Sequence, residues 1–213
     1  MISKRYSRDD IISKFKDDQT ILFGGFAFHG LADELIECIL ESGAKHLTII
    51  GLDASGIKLA HEGRVDKMIF AHAGAIKENL ELVSSGKVEV ELCPMGTVAE
   101  RIRAGGMGLG GILVKTGLGT IAEKGKKRMV LDGQEYILEK AIRGDVSIVK
   151  CHACDPYGNL TYLGTNLNSN NIVAMAGDTT IVQTDKFVDM DTFPPEAIVT
   201  PGVFVDMILD PSL

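Results

Sequence analysis

Residues 19–41 constrain the fold of this 213-residue chain more than any other stretch. They open with a short apolar run, residues 21–23, of the kind that forms a buried strand in a parallel sheet. Glycines follow, and then a helical pattern places apolar side chains on one face and acidic side chains on the other. A strand, a glycine loop and a helix in this order bring backbone N–H groups and the positive end of a helix towards an anionic ligand.

The loop sequence GGFAFHG, residues 24–30, does not fit the GxGxxG fingerprint of dinucleotide-binding proteins. Two interpretations of it stay open. The default is that the glycines serve the backbone, because glycine accepts positive φ angles at little cost. Phe26 and Phe28 favour a ligand site instead, since a purely structural loop tends to be polar. Apolar groups beside glycines suit a ligand that has both an apolar chain and an anionic group.

Strand and helix patterns alternate along the rest of the chain, which predicts an α/β fold with a mostly parallel sheet and helices on both faces. The predicted strands are residues 46–52, 68–71, 88–92, 146–150 and 179–183, with a hairpin of 129–131 and 135–138 around Asp132-Gly133. Ligands in such sheets bind at the carboxyl ends of the strands, where residues 24–30 would lie. We find no linker or repeat and expect a single domain over residues 1–213.

Helix-boundary signals accompany these patterns. The predicted helices are residues 57–61 and 78–83, a short one after a capping box that opens at Ser7, and one that Gly43 ends. Thr97 and Glu100 form a second potential capping box, for a helix that stops at residues 105–106. Arg101 and Arg103 lie on that helix, where solvated or ion-paired roles are more common than ligand binding.

Composition excludes several classes of function. A net charge of −7 argues against nucleic acid and anionic membranes as partners. The sequence has no stretch of 18 apolar residues and no signal-peptide core, so we expect a cytoplasmic protein. The basic run of residues 124–128 could attract phosphates, but a charged hairpin tip is the simpler interpretation.

Four cysteines, Cys38, Cys93, Cys151 and Cys154, fit a reducing compartment without disulfides. Cys151 and Cys154 have CxxC spacing around a histidine, which also suggests metal or redox chemistry. A zinc site needs about two more ligands, and the turn sequence DPYGN follows where a redox motif would open a helix. We expect ordinary cysteines at the end of a strand and no metal.

Gly24, Gly25 and Phe26, followed by Gly30, resemble the signature of the α subunit of family I coenzyme A transferases. That signature continues with any residue and a proline, but this chain has Ala32 at the proline position. Similar blocks continue in the order of the family, namely PMGT and AERIRAGG over residues 94–106, TGLGT over 116–120, GNLTY over 158–162, GTNLNSN over 164–170 and TPG over 200–202. The resemblance therefore covers nearly the whole chain.

This resemblance implies a fold of the coenzyme A transferase and sugar-phosphate isomerase type, with coenzyme A as a substrate. The residues implied to bind it are Gly24, Gly25, Phe26, Ala27, Phe28, His29 and Gly30. The walls of the acyl pocket would be Met95, Gly96, Thr116 and Gly117. Met95 replaces the glutamine of the family's PQGT block, so a hydrogen-bonding amide becomes a thioether and the usual 3-oxoacid preference comes into question.

The family's nucleophile is a glutamate of a separate β subunit, and this chain has no matching motif, so we expect no catalytic residue in it. The resemblance implies transfer of coenzyme A between a short-chain acyl-CoA and a carboxylic acid such as acetate, acetoacetate or butyrate. The reaction would be ping-pong, through a glutamyl-coenzyme A thioester. Glu91 and Glu100 are the nearest candidates for a nucleophile in this chain, and we do not expect either to serve. The alternatives are a non-catalytic module that binds a sugar phosphate or another effector, and a free-standing hydrolase or isomerase.

Overall fold

The structure, a computed structural model, describes residues 3–27, 29–74, 76–190 and 192–213. Its strands in chain order are β1 (Arg5–Tyr6), β2 (Thr20–Phe23), β3 (Leu47–Ile50), β4 (Val65–Phe70), β5 (Glu89–Leu92), β6 (Gly111–Val114), β7 (Lys127–Leu131), β8 (Gln134–Lys140), β9 (Gly144–Cys154), β10 (Leu160–Thr161), β11 (Gly177–Phe187) and β12 (Met207–Leu209). Within the described residues, a large sheet has the order β1-β12-β11-β9-β2-β3-β4-β5, and β10 adds to β9.

Every pairing in the large sheet is parallel except that of β10 with β9. The helices are α1 (Arg8–Ile12), α2 (Asp33–Ser42), α3 (Ile57–His61), α4 (Lys77–Ser84), α5 (Met95–Gly106) and α6 (Asn170–Ala174). Strands β9 and β11 extend beyond the residues predicted from sequence because they pair with each other along nearly their whole length.

Two apolar clusters lie on the two faces of the large sheet. Alternation along β2 sends Ile21 to one cluster and Leu22 to the other. Leu35 of α2 packs in the first cluster, whereas Ile102 of α5 and Val173 of α6 pack in the second. Burial of each such side chain stabilises the fold by about 1.5–3 kcal/mol. The predicted α/β fold, with a mostly parallel sheet and helices on both faces, is confirmed.

Local capping signals near the N-terminus are also confirmed. Ser7 caps α1, and its side chain and that of Asp10 form the reciprocal bonds of a capping box. Helix α2 ends at Gly43, which has a φ of 78° and donates its N–H to the Leu40 carbonyl.

The prediction of a capping box for α5 is wrong. The helix begins at Met95, directly after Pro94, and has no side-chain cap. Thr97 lies inside the helix and is 3% exposed, because its side chain faces the core. Glu100 instead contacts Arg103 one turn further along, at 3.1 Å. The predicted end of the helix at residues 105–106 is confirmed.

A second, antiparallel sheet has the order β6-β8-β7 and is inserted in the chain between α5 and β9. The predicted turn at Asp132 and Gly133 joins β7 to β8, with φ values of 51° and 73°. The prediction that residues 124–128 form a hairpin tip is wrong, since they lead into β7 at the end opposite this turn. Two of their charges have partners, since Lys126 pairs with Glu139 and Arg128 pairs with Glu123.

Candidate functional site

The carboxyl ends of β2, β3, β4 and β5 meet at one edge of the large sheet because these strands are parallel and adjacent. The loop of residues 24–30 follows β2, and Asp53 follows β3. His72 follows β4, and Met95 opens the helix that follows β5. This edge is where ligands of open parallel sheets bind.

The tip of the loop is a tight turn. Phe26 donates its N–H to the His29 carbonyl at 2.9 Å, and His29 donates to the Phe26 carbonyl at 3.0 Å. Between them Ala27 has a φ of +49°, which is rare for a residue with a side chain. The two exchanged bonds therefore enforce an unusual backbone at the tip.

The base of the loop packs against Asn170, the first residue of α6. A Cβ added to Gly24 would lie 2.8 Å from Asn170 Cγ, and one added to Gly30 would lie 2.7 Å from Asn170 Nδ2. Gly25 has a φ of +90°, and a Cβ there would lie 2.7 Å from the Gly30 carbonyl oxygen. Close approach and positive φ account for the three glycines.

Asn170 is fully buried, and both the oxygen and the nitrogen of its amide are hydrogen-bonded. Its Oδ1 accepts the Lys150 N–H at 3.0 Å, while Nδ2 donates to the carbonyls of Gly30 at 3.1 Å and Asn166 at 2.9 Å. The neighbouring Ser169 hydroxyl donates to the Gly25 carbonyl at 3.0 Å. Two adjacent side chains, Asn170 at the start of α6 and Ser169 just before it, thus hold the base of a loop that lies about 140 residues earlier in the chain.

The outer surface of the loop is formed by few of the predicted site residues. Ala27 and His29 are exposed, and Phe26 is half-buried with its ring 5.8 Å from the ring of His72. Gly24, Gly25 and Gly30 are buried, and Phe28 lies outside the described residues. A ligand at this edge would contact the tip of the loop, whereas the buried glycines determine the shape of the loop.

Sequence reasoning missed Asp53. Its Oδ2 accepts the Ala27 N–H at 2.7 Å, and its Oδ1 accepts a hydrogen bond from the Ser55 hydroxyl. The only local signal was an acidic residue directly after a predicted buried strand, next to the strand that carries the glycine loop.

The predicted pocket walls lie in two places. Met95 and Gly96 occupy the first turn of α5 at the carboxyl edge, and both are exposed. Thr116 and Gly117 lie in a turn after β6, where the Thr120 hydroxyl donates to the Gly117 carbonyl at 2.7 Å. The structure therefore brings Met95 and Gly96 to the same edge as the loop and leaves Thr116 and Gly117 with the second sheet.

A cleft of about 710 Å³ separates β5 from the second sheet. Arg101 lies at this cleft, 10% exposed, and contacts Glu91 at 2.7 Å and Glu139 at 3.8 Å. Lys126 contacts Glu139 at 2.7 Å and Glu91 at 3.8 Å. Burial alone would lower the pKa of Arg101, but hydrogen bonds to Glu91 and Cys93 raise it. Arg101 and Arg103 are both ion-paired, which is one of the two roles expected for them, and the cluster of Arg101 and Lys126 with Glu91 and Glu139 joins the two sheets.

The four cysteines are free and buried. Cys151 and Cys154 lie at the end of β9, as predicted, and a turn follows in which Asp155 accepts the N–H groups of Tyr157 and Asn159. Burial raises the pKa of Cys151 well above the ordinary thiol value, and the hydrogen bond with Cys151 lowers the pKa of Cys154.

In the part of the chain that the structure describes, no helix combines the length and the apolar character needed to cross a bilayer. Among the same residues, no group of three or more His, Cys, Asp or Glu side chains is arranged to hold a metal ion.

Comparison with known proteins finds relatives along nearly the whole chain. The coenzyme A transferase family matches residues 6–210. The acetate CoA-transferase subunit alpha of Escherichia coli K12 is 40% identical over 214 residues, which cover 98% of this chain and 97% of that protein. The acetoacetyl-CoA:acetate/butyrate CoA transferase alpha subunit of Clostridium acetobutylicum is 41% identical over 214 residues, 98% of each chain.

Among solved structures, an acyl-CoA transferase from E. coli O157:H7, in a thioester complex with CoA, is similar with a TM-score of 0.86 and 22% identity. The similarity covers 100% of this chain and 48% of that one, so this chain spans about half the length of that protein. At this identity the likeness concerns the fold alone.

Proposed function

The chain belongs to the coenzyme A transferase family, as its sequence predicts, and on that premise we propose that it is the α subunit of a heteromeric enzyme. The enzyme moves coenzyme A between a short-chain acyl-CoA and a carboxylic acid of the acetate, acetoacetate or butyrate type. The observation that carries the proposal is the end-to-end match, at 40% and 41% identity, with two α subunits of coenzyme A transferases.

The proposed reaction is ping-pong, with a glutamate of a separate β subunit as nucleophile. Its carboxylate attacks the thioester carbonyl, coenzyme A leaves as a thiolate, and an acyl-glutamyl anhydride forms. The thiolate then attacks the glutamyl carbonyl, which releases the first acid and leaves a glutamyl-coenzyme A thioester. The second acid runs the two steps in reverse and leaves as the new acyl-CoA.

The state of the two candidate glutamates supports a nucleophile on another chain. Glu91 is held by Arg101 at 2.7 Å, and Glu100 is held by Arg103 at 3.1 Å. The Arg101 pair is largely buried, balances the charge of Glu91 and fixes its direction, so Glu91 is not placed as a free nucleophile. Glu100 lies in a solvent-exposed pair, which is the solvated role expected for it.

In this proposal residues 24–30 form the cradle for the reacting end of coenzyme A. Their position at the carboxyl ends of the strands and their fixed backbone support this role. Phe26, Ala27 and His29 supply the surface that the ligand meets.

We further propose that Met95 and Gly96 line the acyl pocket. The Met95 side chain is 37% exposed at the edge that carries the cradle. A thioether cannot donate a hydrogen bond to a 3-oxo group, so the pocket favours an unsubstituted acyl chain. Thr116 and Gly117 would reach this pocket from the second sheet.

The test is co-expression with the β-type subunit of a coenzyme A transferase from the same source. The purified complex should exchange coenzyme A between labelled acetate and a panel of thioesters. After incubation with acyl-CoA and no acceptor, intact-mass analysis should find coenzyme A attached to the β chain. Exchange by this chain alone, or the adduct on this chain, would refute the proposal. Binding of sugar phosphates without any transfer would favour an effector-binding module.

Two further points belong to this proposal. We take residues 1–213 as one domain, which is supported by the return of the chain from the second sheet into the middle of the large sheet at β9. We also infer a cytoplasmic location, supported by four free cysteines.

A further inference from the structure

The tip of the loop has a backbone that its sequence does not favour. Tight two-residue turns with positive φ are usually built from glycine, asparagine or aspartate. Ala27 occupies this position with a φ of +49°, where its Cβ is crowded by the backbone. An alanine stays in this conformation only when its surroundings hold it there.

Asp53 supplies that hold from the neighbouring strand. Its Oδ2 accepts the Ala27 N–H at 2.7 Å, a hydrogen bond strengthened by the carboxylate charge. The Ser55 hydroxyl donates to Oδ1 of the same carboxylate, which fixes its direction. Because β3 pairs with β2, the two loops leave the sheet side by side, and the contact bridges them.

The hydrogen bond that fixes the tip of the loop is separate from the hydrogen bonds that fix its base. Asn170 and Ser169 bond to the carbonyls of Gly30 and Gly25, and neither of those bonds involves Ala27. Ala27 is exposed whereas Gly25 and Gly30 are buried. Loss of the Asp53 contact would therefore release the surface that a ligand meets and leave the base of the loop in place.

We propose that Asp53 is a positioning residue for coenzyme A transfer, acting through the Ala27 N–H to set the shape of the cradle. This inference rests on the proposed function of residues 24–30. Asp53 neither attacks the substrate nor moves a proton. It keeps the tip of the loop in the one conformation that matches the thioester, so that binding does not have to order it.

The test uses the complex with its β subunit and three single variants. Asp53→Ala removes the acceptor, and we expect the KM for acyl-CoA to rise about tenfold, the usual effect of losing one charged hydrogen bond. Asp53→Asn keeps an acceptor oxygen and should recover most of that loss. Ser55→Ala frees the carboxylate and should raise KM in the same direction by a smaller factor.

Asp17→Ala is the matched control. Asp17 also accepts a backbone N–H through its carboxylate, from Lys45 at 2.8 Å. That bond lies before β2 and β3, at the edge of the sheet opposite the loop. The control should leave KM unchanged while it removes a bond of the same kind.

A rescue separates positioning from a general structural role. Glycine adopts the conformation of Ala27 without strain, so Ala27→Gly should lower the raised KM of Asp53→Ala. The melting temperature and assembly of each variant complex should stay close to wild type.

The possible results are distinct. If the wild-type complex transfers coenzyme A and Asp53→Ala keeps its KM, the inference is overturned. The same holds if Ala27→Gly gives no rescue. If the wild-type complex transfers no coenzyme A to any acceptor, the proposed function fails first and this inference fails with it.

Discussion

Replacing Gly24 by alanine tests whether the base of the loop is built around Asn170. The added Cβ would lie 2.8 Å from Asn170 Cγ and 3.3 Å from Asn170 Cα, inside the normal contact distance. Asn170 cannot move aside without cost, because it is fully buried and its amide makes three hydrogen bonds. Either the loop or the start of α6 must shift.

The size of the effect follows from these contacts. Overpacking of a well-packed site costs about 1–3 kcal/mol. Each distorted hydrogen bond between buried groups costs about 1 kcal/mol more. We therefore expect Gly24→Ala to lower the free energy of unfolding by about 3 kcal/mol, a middle value for these two effects together. In a chain of this length, that corresponds to a fall in melting temperature of about 6–12 °C.

The assay is thermal and urea denaturation of the purified chain, followed by circular dichroism. Gly110→Ala is the matched control, because a Cβ there meets nothing within 4 Å. In an Asn170→Ala background the Gly24 substitution should cost much less, since the obstructing amide is gone. A fall for Gly24→Ala no larger than that of the control would refute this account of the loop.

Three further predictions concern other parts of the molecule. Met95→Gln restores an amide in the proposed acyl pocket, and kcat/KM for 3-oxoacyl relative to unsubstituted acyl substrates should rise about tenfold. Glu139→Ala leaves Arg101 and Lys126 with too little negative charge in a buried site, and should destabilise the chain by about 3 kcal/mol. The control is the exposed Glu135→Ala, which should lower the free energy of unfolding by less than about 1 kcal/mol. Equal losses of stability for Glu139→Ala and Glu135→Ala in urea denaturation would contradict this prediction. Burial raises the pKa of Cys38 from 9.0 to about 11, so the folded state keeps a proton that the unfolded chain releases. Stability should therefore fall as the pH rises through this range, and Cys38→Ala should flatten that part of the pH profile of the urea midpoint.

The architecture was readable from the sequence where periodicity and capping agree. The run at residues 21–23 became β2, residues 57–61 became α3, and Gly43 ended α2. Each of these signals is local and matches the burial that the fold imposes. The order of the strands was not readable, because it depends on which helices cover which face.

Local signals failed where a neighbouring constraint was stronger. Thr97 and Glu100 have the spacing of a capping box, but Pro94 precedes the helix and Thr97 faces the core. The basic run of residues 124–128 resembles a hairpin tip, but Lys126 finds its carboxylate on β8, which the run itself does not reveal.

The contacts that hold the candidate site in shape could not be predicted from the sequence, for a different reason. Gly30 and Asn170 are separated by 140 residues, and Ala27 and Asp53 by 26. No period or spacing in one sequence connects such pairs. The glycines could be recognised as special, but the reason that Gly24 must be a glycine lies in the buried amide of Asn170.

The charge of the cradle limits what it does for coenzyme A under the proposed function. Residues 24–30 contain no lysine or arginine, and the chain carries a net charge of −7. Such a loop shapes the path of the thioester but gives little Coulomb attraction to the phosphates of the coenzyme. Within the basic run, Lys126 and Arg128 are already paired with Glu139 and Glu123. Lys124 and Lys127 of the run are exposed. Under the proposed function we therefore expect the phosphates to be attracted by these two side chains and by cations of the partner subunit rather than by the cradle itself.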